Sequence, residues 1–178
     1  FEADLEAAIT LAKRRKINLK SIVFPRNQYA TAHVDICKRL GIEAFRGTPT
    51  QKIYRSTPGK DQTMLRRAAR LVDAHTGMFG DTSFPMDRRD RANVPASHFL
   101  RPCSGKLGIA HPLHRKMIER SMTMAANSGR AYHLWWHPHN FGRDIDANIN
   151  ALKQILSHFD ALRAEFGMRS SHMVGSAE

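Results

Sequence analysis

The sequence predicts an α/β fold in which short parallel strands alternate with helices around an open or barrel-like sheet. The first observation is a strand, helix, strand spacing: an apolar run at Ser21–Phe24, a helical pattern from about Thr31, and a second apolar run at Ile42–Phe45. The second is Ala131–Trp136, a strand-like segment followed by a long amphipathic helical pattern that reaches Phe166. Strands joined through a helix pair in parallel, with a right-handed crossover.

The N-terminal segment is predicted to be a helix that ends around Asn18. Its apolar residues form one stripe at helical spacing, made of Leu5, Ala8, Ile9 and Ala12. The helix that begins near Thr31 is predicted to end at Gly41, because glycine readily adopts the left-handed conformation that closes a helix. The chain enters its first helix at Phe1 without an initial methionine, so we expect a segment from the middle of a longer protein.

The middle of the chain is predicted to combine one further helix with a long stretch that lacks periodicity. Asp61 is expected to cap this helix. Its inward residues are predicted to be Met64, Leu65, Ala68, Leu71 and Val72, and its outward residues Arg66, Arg67 and Arg70. From residue 77 to about 108, Gly, Pro, Asp and Arg dominate, which predicts a long irregular loop within a single domain over residues 1–178.

Two more helices are predicted in the C-terminal part. Pro112 suits the first turn of one of them, because its missing N–H is not needed there. The apolar face of that helix is predicted to consist of Leu113, Met117, Ile118, Met122 and Ala125. The last helix, on apolar positions from Ile145 to Phe166, is expected to end near Gly167.

The composition indicates a basic protein with few cysteines. Its 28 Lys and Arg outnumber 16 Asp and Glu, giving a formal net charge of +12, so nucleic acid, an anionic sugar or a sugar phosphate must be considered as a partner. Cys37 and Cys103 are too few for a disulfide framework and lack CxxC spacing, which predicts reduced thiols in the cytoplasm. No apolar run approaches about 20 residues, so no membrane span is expected.

Two segments that follow predicted strands carry the side chains best suited to chemistry. In Phe24–Gln28, Arg26 could orient a carboxylate, stabilise developing negative charge, or form a salt bridge at the sheet edge. In His137–Gly142, two imidazoles and an amide follow a tryptophan, and histidine exchanges protons near neutral pH. A structural role for these histidines in a tight turn fits equally well. Arg101 is a weaker candidate of the same kind as Arg26.

Histidine spacing excludes one metal site and leaves another open. His133 and His137 on an extended strand would lie roughly 13 Å apart, too far to share an ion with bonds of about 2 Å. His137 and His139 would lie only about 7 Å apart on the same side, so they could share a metal if a third ligand joined them. His111 and His114, at a helix start, are predicted to be surface or capping residues.

Three segments, found in order along nearly the whole chain, resemble the polysaccharide deacetylase family, the carbohydrate esterase group with the NodB homology domain. They are Ser21–Gln28, Asn93–Pro102 and Tyr132–Gly142. The most specific run is Leu134-Trp-Trp-His-Pro-His-Asn-Phe141. The branch that the chain resembles most comprises bacterial proteins associated with surface-polysaccharide synthesis.

This resemblance implies the C-terminal portion of a distorted (β/α) barrel and a metal-dependent hydrolase that removes N-acetyl groups from a cell-surface polysaccharide or its precursor. It implies that His137 is the general acid, because Leu134-Trp-Trp-His137 is similar to the family's Leu-x-x-His motif. It also implies that Arg26 orients the carboxylate of the catalytic base. The residues expected to contact substrate are Leu134, Trp136, His139, Asn140, Asn27 and Arg101.

The resemblance does not extend to the family's metal-binding half. The family's Thr-Phe-Asp-Asp segment and His-x-x-x-His motif would precede the matched region, so the metal, expected to be zinc, would be held outside this chain. The chain alone is therefore expected to be inactive and to associate through uncovered strand edges.

Two alternatives remain open. One is a basic binding module for an anionic glycan or nucleic acid, although nucleic acid is disfavoured because aromatic residues are not interleaved with basic ones. The other is a self-contained metalloenzyme built on the His137-x-His139 pair.

Overall fold

The structure is a computed structural model that describes residues 1–49, 64–78, 80–86, 92–103 and 110–175. The side chains of Arg26, Arg66, Arg67 and Ala74 lie outside this description. The described α-helices are α1 (Glu2–Arg14), α2 (Thr31–Arg39), α3 (Met64–Thr76), α4 (His111–Asn127) and α5 (Ile145–Phe166). The described strands are β1 (Ser21–Ile22), β2 (Ala44–Gly47), β3 (Asn93–Pro95), β4 (His98–Phe99) and β5 (Leu134–Trp135). The chain therefore has the predicted α/β class.

The sequence predicted one domain over residues 1–178, and within it the structure distinguishes two compact units. The first unit comprises residues 1–47, 87–94 and 171–178. The second comprises residues 48–86 and 95–170. None of the described helices is long and apolar enough to cross a membrane.

The first unit contains β1, β2 and the first two residues of β3, and these strands form a sheet in the order β1-β2-β3. β1 and β2 run parallel, with Ile22 opposite Phe45, and α2 connects them, so the predicted strand, helix, strand unit is confirmed. Gly41, just after α2, has φ 82°, the left-handed conformation predicted for the end of this helix. One cluster of buried apolar side chains in this unit consists of Leu5, Phe24, Cys37, Ile42 and Phe45. Ala8, which belongs to the apolar stripe predicted for the first helix, is exposed.

The second unit contains the parallel pair β4–β5 together with α3, α4 and α5. Its core is formed by Leu100, Met117, Ile118, Met122, Phe141, Ile155 and Leu162. The apolar face predicted for α4 is thus confirmed except at Leu113, which is exposed. α5 begins at an Asp144 side chain that accepts a hydrogen bond from the Ala147 N–H, and Gly167 ends it with φ 69°, as predicted.

The predicted inward face of α3 is wrong over much of its length. Met64, Leu65, Ala68 and Val72 are exposed, the first two by 89% and 83%. Among the described side chains of α3, Asp73 and His75 are the buried ones. The His75 ring lies 5.6 Å from that of His114 on α4. Because α3 packs against α4 through this polar side, tertiary contact overrides the helical pattern. The expected cap, Asp61, lies outside the described residues.

The segment from residue 77 to about 108 is not irregular along its whole length. It contributes β3 and β4, and Phe84 forms an antiparallel bridge with Ala131. Strands of two or three residues carry almost no periodicity, so partners distant in sequence decide whether they form. Residues 79, 87–91 and 104–109 lie outside the described part of the chain.

Candidate functional site

Several of the predicted site residues lie at the carboxyl ends of β4 and β5. Phe99 on β4 lies opposite Trp135 on β5 in parallel register. The two strands therefore leave the sheet at the same edge, where polar side chains of an α/β protein commonly form a site. The predicted residues in the segments that follow the two strands are Arg101, Trp136, His137, His139 and Asn140.

His137 is exposed and is held by aromatic rings. Its ring centroid lies 5.3 Å from that of Trp135, at an interplanar angle of 87°, and 5.8 Å from that of Phe99. Within the described part of the chain, neither ring nitrogen of His137 forms a hydrogen bond, whereas its carbonyl accepts one from the Asn140 N–H at 2.9 Å. Ring packing thus orients the imidazole and leaves its nitrogens for a ligand.

Strand alternation separates the two tryptophans. Trp135 and His137 point to the same side, because side chains two residues apart on a strand share a face. Leu134 points the other way and packs against the core of the second unit. Trp136 shares that face and stacks on the buried Phe141 ring at 6.2 Å. The structure therefore places Trp135, rather than Leu134 or Trp136, beside the imidazole of His137.

His139 stacks on His137, with ring centroids 5.1 Å apart and an interplanar angle of 19°. The sequence prediction assumed an extended backbone through both histidines, but a 3-10 helix at Pro138–Arg143 begins directly after His137. Its tight turn brings the two exposed rings face to face. Asn140 lies in the same turn and is half-buried.

His111 and His114 anchor the segment that follows β4. The His111 Nε2–H donates to the Arg101 carbonyl at 3.0 Å, and the Arg101 N–H donates to His114 Nε2 at 3.2 Å. Both histidines are buried, so their prediction as surface or capping residues is wrong. Burial lowers the pKa of His111. These two imidazoles, at the start of α4, hold both polar groups of the Arg101 backbone and thereby fix where its half-buried side chain begins.

A second anchor joins the same segment to α5. Asn148 is 2% exposed, and its Oδ1 accepts a hydrogen bond from the Cys103 N–H at 2.8 Å. Its Nδ2 donates to the Asp144 carbonyl at 2.6 Å. Burial, assisted by the charge of Asp144, raises the pKa of the Cys103 thiol, which therefore stays protonated at neutral pH. A groove of about 460 Å³ adjoins this anchor and presents Arg115, Asn150 and Gln154.

His98 on β4 belongs to a cluster of buried polar side chains. His98 Nδ1 lies 2.9 Å from the Tyr132 hydroxyl and 3.1 Å from the Thr82 hydroxyl. Burial lowers the pKa of His98 to about 4, although the charges of Asp73 and Asp81 oppose the shift. Burial, assisted by Asp81, raises the pKa of Tyr132 well above its ordinary value. At neutral pH the imidazole of His98 and the phenol of Tyr132 are therefore both uncharged, which suits a structural role.

Arg26 and Asn27 lie in the first unit, in a 3-10 helix at Pro25–Asn27. The side chain of Arg26 is outside the described part of the chain. Asn27 has φ 54°, a left-handed conformation that asparagine tolerates better than most residues, and its Oδ1 accepts a hydrogen bond from Arg46 Nε at 3.1 Å. Burial lowers the pKa of Arg46. Asn27 thus has a structural partner within its own unit.

Sequence reasoning missed three residues of the site region. Trp135 and Phe99 contact the His137 ring, and Asn148 anchors the segment after β4. Trp135 could have been found from the alternation of a strand, because it lies two residues before His137. Phe99 and Asn148 could not, since each reaches the site through a pairing distant in sequence.

The described residues do not fit a divalent metal. No group of three or more His, Cys, Asp and Glu side chains converges among them. His137 and His139 are stacked face to face, so their in-plane nitrogen lone pairs lie in two nearly parallel planes, which is unfavourable for binding one ion together. His133 is engaged elsewhere, with Nδ1 3.2 Å from the Pro95 carbonyl. The metal implied by the resemblance therefore has no ligand set in the described part of this chain.

No protein-family model, no curated protein and no solved structure matches this chain.

Proposed function

We propose that this chain forms the proton-donor side of a polysaccharide N-deacetylase, a metal-dependent hydrolase that removes acetyl groups from an N-acetylated sugar of a cell-surface polysaccharide or its precursor. The observation that carries the proposal is His137: an exposed imidazole at the carboxyl end of a parallel strand, oriented by aromatic rings. The Leu134-Trp-Trp-His137 motif supplies the chemical class.

In this proposal His137 acts as the general acid. Hydrolysis of an N-acetyl group ends when the bond between the carbonyl carbon and nitrogen breaks, and the departing nitrogen needs a proton at that moment. In its protonated form, His137 donates this proton, so the products are a free amine on the sugar and acetate. The exposed ring lets the substrate nitrogen approach an in-plane N–H.

The aromatic rings beside His137 would form the substrate-binding surface. The ring centroids of Trp135 and Phe99 lie 4.5 Å apart, and both rings contact His137. Their apolar surface would receive the acetyl methyl group or one face of a sugar ring. His139 and Asn140 follow in the same turn and would hydrogen-bond sugar hydroxyls. Leu134 supports this surface from the core side.

The remaining parts of the enzyme are proposed to lie outside the described residues. The metal, zinc in this proposal, would be held by another segment of the parent protein and would activate water for attack on the amide. The open parallel pairs would form part of a distorted (β/α) barrel. The two cysteines are free, which is compatible with a reducing cytoplasm.

The proposal is tested on the longest protein that contains this chain, assayed for acetate release from N-acetylated oligosaccharides. His137→Ala should lower turnover by about 10²-fold or more, as expected for loss of a general acid, while leaving bound metal unchanged. His139→Ala is the matched comparison: it should raise KM through loss of a contact to a sugar hydroxyl while it retains most of kcat. Loss of metal from the His137→Ala protein would contradict the assignment, as would metal-dependent acetate release by the present chain alone.

A further inference from the structure

The end of α1 presents four consecutive cations, Lys13, Arg14, Arg15 and Lys16, which we call the basic tetrad. All four side chains are exposed, and none forms an ion pair with a described residue. The acidic residues of the helix lie in its first two turns, where Glu2 pairs with Arg39 and Asp4 with the N-terminal amine. The tetrad is therefore a concentrated positive charge that no described acidic residue of its unit neutralises.

The tetrad contains more cations than the helix dipole of α1 needs for a favourable interaction at the end of the helix. Cations in the last turn interact favourably with the helix dipole, and Lys13 and Arg14 already occupy that turn. Lys16 lies beyond it with φ 58°, a left-handed conformation that glycine or asparagine adopts at lower cost. The turn is closed by the Ile17 N–H, which donates to the Ala12 carbonyl at 2.9 Å. A lysine thus stands where backbone conformation favours another residue.

Two large apolar side chains flank the tetrad. Leu11 is 59% exposed and Ile17 is 55% exposed. Leu11 precedes Arg14 and Arg15 by three and four residues, so it lies on the same helix face as they do. Exposed apolar side chains beside a basic cluster are the combination that an anionic bilayer accommodates, because headgroup phosphates meet the charges while the apolar side chains enter the interface.

We propose that the basic tetrad, with Leu11 and Ile17, docks this protein on the surface of an anionic lipid bilayer. A nucleic acid would engage the four charges through its phosphates but would give the exposed Leu11 and Ile17 no apolar environment. The bilayer accounts for both features of the surface. Docking of this kind is peripheral and reversible, and it does not depend on the proposed deacetylase activity.

The test measures binding of the chain to vesicles of mixed phosphatidylglycerol and phosphatidylcholine by co-sedimentation. A tetrad variant carries Lys13→Gln, Arg14→Gln, Arg15→Gln and Lys16→Asn, the last chosen because asparagine tolerates positive φ. Each cation near an anionic surface contributes about 1 kcal/mol, so the variant should bind roughly 10²- to 10³-fold more weakly. The side chains are exposed, so the circular dichroism spectrum should not change.

A matched control removes the same number of exposed cations from the second unit: Lys116→Gln, Arg120→Gln, Lys153→Gln and Arg169→Gln. This control should bind within about tenfold of the unmodified chain, because its charges lie off the docking surface. Equal losses in the two variants would show that net charge alone drives binding and would overturn the proposal.

The apolar part is tested by Leu11→Asn with Ile17→Asn, which keeps every charge. Binding to the anionic vesicles should fall by about tenfold or more through loss of the buried apolar area, while affinity for a DNA duplex stays the same. An unchanged affinity for vesicles would exclude insertion of these side chains. Tighter binding to duplex DNA than to vesicles, lost in the tetrad variant, would identify nucleic acid as the partner and overturn the proposal.

Discussion

The second unit contains two groups of histidines that look alike in the sequence but differ in their surroundings. His98, His111 and His114 are buried, and each has a ring nitrogen engaged by a backbone or hydroxyl group. His137 and His139 are exposed, and their rings contact other rings. A buried imidazole with a fixed partner holds the fold in place, whereas an exposed one can exchange a proton with a ligand. The first group is therefore structural, and the second is the one whose rings are accessible to a ligand.

The sharpest test of this division removes one ring from each group. His114→Ala leaves the Arg101 N–H without its acceptor and opens a cavity at a side chain only 1% exposed. We expect it to lower the free energy of unfolding by about 3 kcal/mol. Urea unfolding followed by tryptophan fluorescence reports on this unit, because both tryptophans lie in it.

His137→Ala is the control for that measurement and should change the free energy of unfolding by no more than about 0.5 kcal/mol, since the ring is exposed. Similar losses for the two variants would remove the distinction between the groups.

The buried group should also make stability depend on pH. The folded-state pKa of His98 is about 4, below its ordinary value of 6.5, so the unfolded chain binds the proton more readily. Stability should therefore fall as the pH drops from about 6.5 toward 4, by roughly 2 to 3 kcal/mol in total. The negative charges of Asp73 and Asp81 oppose the lowering of the His98 pKa, so they limit the loss of stability.

Urea unfolding between pH 7 and pH 4.5 measures this dependence. A His98→Gln protein should show a flatter profile over the same range, because glutamine does not titrate. Parallel profiles for the two proteins would mean that His98 is not the group responsible.

The smallest of the expected effects concerns the anchor between Cys103 and α5. Asn148→Ala removes the acceptor of the Cys103 N–H and the donor to the Asp144 carbonyl. We expect a loss of about 2 kcal/mol in the free energy of unfolding, since the Cys103 N–H loses its acceptor and the Asp144 carbonyl loses one of its two donors. Asn150→Ala, at an exposed position of the same helix, should cost less than about 0.5 kcal/mol. Equal effects at the two positions would indicate that the anchor contributes little.

Prediction from the sequence succeeded where the signal is local. Gly41 and Gly167 end helices because a residue without Cβ adopts positive φ easily, and both were predicted from position alone. The apolar spacing of Met117, Ile118 and Met122 predicted the buried face of α4. Prediction from apolar spacing failed for α3, in which Asp73 and His75 are buried while Met64 and Leu65 are exposed. Which side of α3 is buried depends on its packing against α4. A short stretch of sequence around α3 does not include α4.

The sequence by itself determined the α/β class, the parallel strand, helix, strand unit and the position of His137 after a strand, because these follow from hydrophobic spacing and chain connectivity. Only the tertiary structure decided which rings surround His137 and which histidines are buried. Phe99 reaches Trp135 through strand pairing, and His114 reaches the Arg101 backbone through helix packing. Contacts between residues far apart in the chain set burial and hydrogen bonding, and these in turn separate a structural imidazole from one available for chemistry.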